Sequence, residues 1–196
     1  MLFRSDPVSL AKAKLELLHI NKFVVVDEDN TLQGMISVES LAEVVDENTL
    51  IENLLLEELV SVPNHQHIFE TTRQMFAHEL YLLPVADAEF KFLGFVRKRE
   101  VLEALTEIFN LSVFGSVITI ELEQMNYTLS DIVRIVETEG AKILGVAVQQ
   151  PNHDLNAIRV SIKLNLEDSS VVSAALRRFG YLIISENQSE SLENNF

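Results

Sequence analysis

The apolar positions of the chain change period as it is read, and the changes come in the same order twice. "DPVSLAKAKLELLHI" places Val8, Ala11, Leu15 and Leu18 at helical spacing. The apolar run "FVVV" follows and reads as a buried strand, and the turn cluster "DEDN" follows that. A second strand, "LQGMIS", leads into a helical "VESLAEVV". "HIFETTRQMFAHEL" then restarts the series with Ile68, Met75, Phe76 and Leu80. "YLLPV", the turn "ADAEFK", "FLGFVR" and "KREVLEALTEIF" complete it.

A shift of 60 brings the two series into register: Phe23-Val24-Val25-Val26-Asp27 falls on Leu83-Pro84-Val85-Ala86-Asp87, and Gly34 falls on Gly94. Met35-Ile36 falls on Phe95-Val96, Leu41 on Val101 and Leu15 on Met75. An internal repeat of this length is one supersecondary unit written twice. The unit is helix, strand, strand, helix. Asp6 is placed to cap the first helix, with Pro7 in its first turn. "NTLIENLLLEEL", residues 48–59, reads as a helix linking the copies. Ahead of the second copy "LVSVP" has strand character. The first copy has only "MLF" there, so repeat one is expected to be short at its N-terminus.

After Phe109 the pattern changes. "SVITIEL" alternates and is β-branched, and "TLSDIVRIVETEG" puts Leu129, Ile132, Val133 and Val136 on one helical face. Thr128 and Asp131 have capping-box spacing, and Gly140 suits the helix end. "KILGVAVQ" and "AIRVSIKLNL" read as strands around the turn "QPNHDLN", and "DSSVVSAALRRFG" as a helix capped by Asp168 or Ser169 and ended by Gly180. "YLII" is a short last strand and "SENQSESLENNF" a polar tail. Strand-helix-strand-strand-helix-strand is the ferredoxin-like order.

These readings give an α+β chain: repeat one at 1–47, a linking helix at 48–59, repeat two at 60–110, a βαββαβ domain at 114–185 and a tail at 186–196. With 30 acids against 15 bases the net charge is −15, which opposes nucleic acid and anionic membranes. No apolar run approaches the ~20 residues of a membrane helix, and no signal-peptide layout is visible. The chain therefore reads as cytoplasmic. Cysteine is absent, which excludes disulfides, thiol catalysis and thiolate metal sites.

No glycine-rich phosphate loop, GxSxG elbow or HExxH occurs, so no catalytic apparatus is expected. His65 and His67 stand two apart in a turn beside Pro63-Asn64, without a third ligand, so no metal site is expected either. His19, His78 and His153 are single polar positions. Arg97-Lys98-Arg99 is the only run of three bases and opens a helix, where basic residues oppose the dipole. The readings that stay open for it are a phosphate contact by Arg97, a solvated helix start, or a salt-bridge partner for the acids around 46–58.

The doubled unit, with Leu83-Pro84-Val85 and Gly94-Phe95-Val96 in one copy and Val24-Val25-Val26-Asp27 and Gly34-Met35-Ile36-Ser37 in the other, resembles the CBS domain, which occurs in tandem pairs. The resemblance covers about residues 1–109. It implies a regulatory, non-catalytic pair related by a pseudo-twofold axis. The cleft between the copies would bind an effector such as AMP, ADP, ATP or S-adenosylmethionine. Val24, Ser37, Ser40, Leu83, Pro84, Arg97 and Glu100 are the implied ligand positions. In nucleotide-binding pairs the second strand runs glycine, two apolar residues, a hydroxyl, two free positions and an aspartate. Copy one has the hydroxyl, Ser37, but Ser40 at the acid; copy two has Glu100 near the acid but Arg97 at the hydroxyl. Neither holds the full pair.

The C-terminal third resembles an ACT domain, a small module that often binds amino acids. Its first loop would carry the ligand, with an acid and a glycine. Here Gln124 stands at the acid and Tyr127 at the glycine, with Asn126 between them as a polar contact. A homodimer is implied, through the second helices of the repeats or the C-terminal sheet edge. The alternative is an assembly module that binds a protein partner and no small ligand.

Overall fold

In a computed structural model, residues 1–152 and 154–188 are described; His153 and most of the expected tail lie outside them. The chain divides into two compact units, residues 1–105 and a unit that begins at Thr106. Together they form a mixed α+β fold.

The first unit contains two three-stranded sheets, of order β1-β2-β3 and β4-β5-β6. Repeat one is β1 (Leu2–Phe3), α1 (Val8–Leu18), β2 (Lys22–Val26), β3 (Leu32–Ser37) and α2 (Val38–Ala42). Repeat two is β4 (Val62–Pro63), α3 (Ile68–Ala77), β5 (Leu82–Ala86), β6 (Phe92–Arg97) and α4 (Lys98–Ile108). The registers are the same shifted by 60: Val25 opposes Gly34 and Val85 opposes Gly94, with a bulge after each. Even the turn is duplicated. Asp27 Oδ1 accepts from the N–H groups of Asp29 and Thr31, and Asp87 Oδ1 from those of Glu89 and Lys91. Asn30 and Phe90 both take φ 59° there.

The copies meet about a pseudo-twofold axis. Leu32 N–H donates to the Phe90 carbonyl at 2.8 Å, and Phe92 N–H donates to the Asn30 carbonyl at 2.9 Å. Exchanging each residue for its counterpart 60 positions away turns one bond into the other. Side chains cross the axis too: Met35 is buried with Leu83, Val62 and Met75, while Phe95 packs against the cluster of Phe23 and Ile36.

Several expectations need correcting. At the start of repeat one Leu2–Phe3 form a strand, and Leu2 pairs with Val25 in parallel as Val62 pairs with Val85. Residues 48–59 form no linking helix but one 3-10 turn, Ile51–Asn53. Their backbone groups are claimed by tertiary partners: Thr49 carbonyl by Val8, Ile51 N–H by Asp6, and Glu57 by Met35 in both directions. Asp6 does not cap α1, because its carboxylate accepts from Phe3 N–H instead.

The second unit holds β7 (Ser116–Glu123), a 3-10 turn (Gln124–Asn126), α5 (Leu129–Thr138), β8 (Ile143–Gln149), β9 (Ala157–Leu164), α6 (Ser170–Arg178) and β10 (Leu182–Gln188). All pairings are antiparallel, in the order β10-β7-β9-β8. Ile118, Ile120, Ile162 and Leu164 on the sheet bury against Ile132, Val136, Val172 and Leu176 on the helices. Gly140 and Gly180 end α5 and α6 at φ 82° and 89°. Thr128 and Asp131 form no capping box, and Asp131 turns to Arg134 at 3.5 Å. The last strand runs past the expected "YLII" through Gln188, so residues 186–188 are sheet rather than tail.

Candidate functional site

The expected ligand positions separate into three environments. Val24 and Leu83 are fully buried core residues, and Pro84 is buried beside them. Their β-branched or apolar character serves sheet packing, and none of them lines a cavity named below.

Ser37 and Ser40 form a reciprocal capping box at the start of α2. Ser40 N–H donates to Ser37 Oγ and Ser37 N–H to Ser40 Oγ, each at 3.1 Å. Ser37 is 3% exposed. The Glu57 carboxylate lies over it, 2.8 Å from Lys22 Nζ. Burial pushes the Glu57 carboxyl up, but hydrogen bonds from Lys22 and Ser37 and the Lys22 charge outweigh it and hold it below its ordinary value. The chain's own acid thus occupies the repeat-one end of the junction.

The repeat-two end is open. A cavity of about 690 Å³ is lined by His19, Phe23, Tyr81, Phe95, Arg97 and Lys98, among others. Phe23 and Phe95, one from each repeat, stack with ring centroids 5.4 Å apart and planes 15° apart. Glu100 lines the cavity as well, but its Oε2 accepts from Arg97 N–H at 2.8 Å, which caps α4 much as Ser40 caps α2. Of the three bases, Arg99 is held by Glu103 at 2.7 Å and Lys98 Nζ lies 4.5 Å from the Phe76 ring centroid and 5.1 Å from that of Tyr81. Arg97 is exposed, and among the described residues no acid pairs with its guanidinium. Among the described residues Arg97 forms no ion pair with the acids around 46–58, and Glu57 pairs with Lys22; an exposed Arg97 fits both a phosphate contact and a solvated helix start.

Sequence reasoning missed Phe23, Tyr81 and His19 here. The first two read as ordinary strand residues. His19 ends α1 in the left-handed conformation at φ 51°, as its counterpart Glu79 does in repeat two at φ 54°. Those shared values were a repeat signal that only the backbone carries. Glu57 was missed because its segment read as helix.

In the second unit the three loop candidates do not converge. Gln124 borders a cavity of about 900 Å³ that also takes in Glu121, Glu123, Asp154 and Leu182. Asn126 Nδ2 donates to Glu123 Oε2 at 3.1 Å, and Tyr127 packs on the core. Glu121 is paired with Arg159 at 2.7 Å. Among the described residues no group of three or more His, Asp or Glu side chains could hold a metal ion. Likewise no helix among them is long and apolar enough to cross a membrane.

No family model matches the sequence. Solved structures similar to the chain include CBS domain pairs. A CBS domain pair/ACT domain protein from Thermotoga maritima is 24% identical with a TM-score of 0.49, over 55% of this chain and 88% of that one. The CBS domains of a transcriptional regulator from Streptococcus pneumoniae are 20% identical with a TM-score of 0.47, over 53% and 86%. CBSX2 in complex with AMP is 20% identical with a TM-score of 0.45, over 55% and 87%.

Proposed function

We propose that this chain is a non-catalytic regulatory protein of the CBS-pair type. Its effector is a small anion, an adenine nucleotide first among candidates, bound at the repeat-two end of the junction. The observation that carries this reading is the Arg97 guanidinium, which among the described residues has no acid partner and lines the same cavity as the Phe23–Phe95 stack. A cation at a helix start opposes the helix dipole, and a bound phosphate would offset that cost. The aromatic wall suits a purine, and the eroded hydroxyl-acid pair leaves phosphate rather than ribose as the group recognised. The second unit, read as a ferredoxin-like ACT-type domain from its βαββαβ order and β10-β7-β9-β8 sheet, would dimerise the chain or relay its state. Effector binding would act through a shift between two packings, bounded by its differential affinity for them. The domain limits read from the sequence and the cytoplasmic setting belong to this proposal.

Thermal shifts with AMP, ADP, ATP and S-adenosylmethionine test it. A true effector at a hundredfold excess over its Kd adds about 2.7 kcal/mol of stability. Arg97→Ala weakens that binding about tenfold. Flat responses to all four, or an undiminished response in Arg97→Ala, overturn the anion site. Sedimentation at micromolar concentration shows a dimer, and a clean monomer overturns that part.

A second reading is favoured by the repeat-one end, where Ser37 and Ser40 satisfy each other and Glu57 fills the space above them. It makes the pair an assembly module with a protein partner and no small ligand.

A further inference from the structure

The outer edges of the two sheets are used differently. In repeat one Met35 and Glu57 exchange both backbone hydrogen bonds, at 3.1 and 2.8 Å, so the linker adds one antiparallel rung to β3. Leu56 lies so close over Gly34 that a Cβ there would stand 2.8 Å from Leu56 Cβ and 2.9 Å from the Glu57 carbonyl oxygen. The Glu57 carboxylate then reaches Lys22 and Ser37.

A shift of 60 carries Met35 to Phe95, Gly34 to Gly94 and Ser37 to Arg97. Because β6 lies on β5 in the register of β3 on β2, Phe95 presents its N–H and C=O to the same outer side as Met35 does. Among the described residues no bridge reaches it there. A Cβ at Gly94 would meet nothing within 4 Å. The cation of the repeat-one arrangement persists in altered form: Lys22 is replaced by Leu82, but Ser37 is replaced by Arg97. Repeat one therefore displays, within the same chain, what an equivalent strand edge accepts.

We propose that the outer edge of β6 is a docking site for an extended segment of a partner protein that carries an aliphatic residue followed by an acid. The segment adds as an antiparallel strand at Phe95, seats the aliphatic side chain over Gly94 and places its carboxylate on Arg97. Strand addition supplies main-chain hydrogen bonds, and the flanking contacts supply selectivity. The acid is the complement of Arg97, whose planar donors suit a carboxylate. This site goes beyond the small-anion reading. Both would use Arg97, but only the peptide needs the strand edge and the bare glycine.

The test uses the intact chain and a fluorescein-labelled nonapeptide with the sequence of residues 52–60, ENLLLEELV. Fluorescence anisotropy should saturate, and hydrogen exchange at the Phe95 amide should slow. Arg97→Ala should weaken binding about tenfold. Gly94→Ala should weaken it at least as much while leaving the circular dichroism unchanged, since its added methyl meets nothing in the free chain. A peptide carrying Glu57→Lys should not bind. Absence of saturation into the millimolar range, full affinity in Gly94→Ala, or an unprotected Phe95 amide each overturns the proposal. The nucleotide panel above is read separately, so a silent panel with a binding peptide removes only the small-anion site, and the converse removes only this one.

Discussion

A single left-handed residue shows how strictly the repeat constrains the backbone. Asn30 and Phe90 hold the same turn position at φ 59°. Asparagine tolerates that region because its short side chain bonds locally, whereas an aromatic side chain crowds the backbone. Phe90 is 55% exposed, so little burial offsets the strain. Phe90→Asn is therefore expected to stabilise the first unit by about 0.5–1 kcal/mol, read as a higher urea midpoint at unchanged slope. The candidate site was legible at this scale only for residues whose type was unusual. Arg97 stood out as a base in an acidic chain and does face the cavity. Val24, Leu83 and Pro84 entered through resemblance alone, and the structure buries them. Ser37 and Glu100 sit where the repeat puts them, but each has a partner in its own chain that no motif displays.

Among elements, local pattern was sufficient where one face alone had to be buried. The helices α1, α3, α5 and α6 and the strands of both repeats fall where periodicity placed them. It failed for residues 48–59, whose leucines satisfy a helical pattern and yet lie extended along repeat one. There Leu54 and Leu56 pack on the core of repeat one, and Glu57 adds its rung to β3. Helix propensity is a weak prior against several long-range backbone bonds. Gly34 and Gly94 measure the consequence. Gly34→Ala is expected to cost about 1–3 kcal/mol, because the new methyl must displace Leu56 or the Glu57 carbonyl. Gly94→Ala should change stability by a few tenths of a kcal/mol at most. Equal denaturant midpoints for the two variants would contradict the covered edge.

At the level of the molecule, the Lys22–Glu57 pair ties the linker back onto the first repeat across the sequence. The folded Glu57 pKa lies below the ordinary 4.5. A depressed carboxylate contributes stability that is present above its unfolded pKa and lost as pH falls through the folded one. Glu57→Gln should thus lower stability at pH 7, by about 1 kcal/mol for a charged hydrogen bond that remains partly solvated. The gap to the natural chain should close progressively below pH 4.5. A gap that stays constant down to pH 3 would show that the carboxylate charge is not what holds the linker.

The sequence by itself determined the doubling, the α+β class, the order of nearly every element and the singular run of bases at Arg97-Lys98-Arg99. These follow from periodicity, glycine placement and charge, which act within a dozen residues or repeat at a fixed interval. Only the tertiary structure decided that the linker is extended, that Glu57 reaches Lys22 and Ser37, and that among the described residues no bridge covers the outer edge of β6. Those features depend on which backbone groups find partners dozens of residues away. Two strands that share an outline of apolar positions around a glycine can therefore end in opposite states among the described residues, one bridged at its outer edge and one not, because hydrogen-bond pairing belongs to the assembled fold.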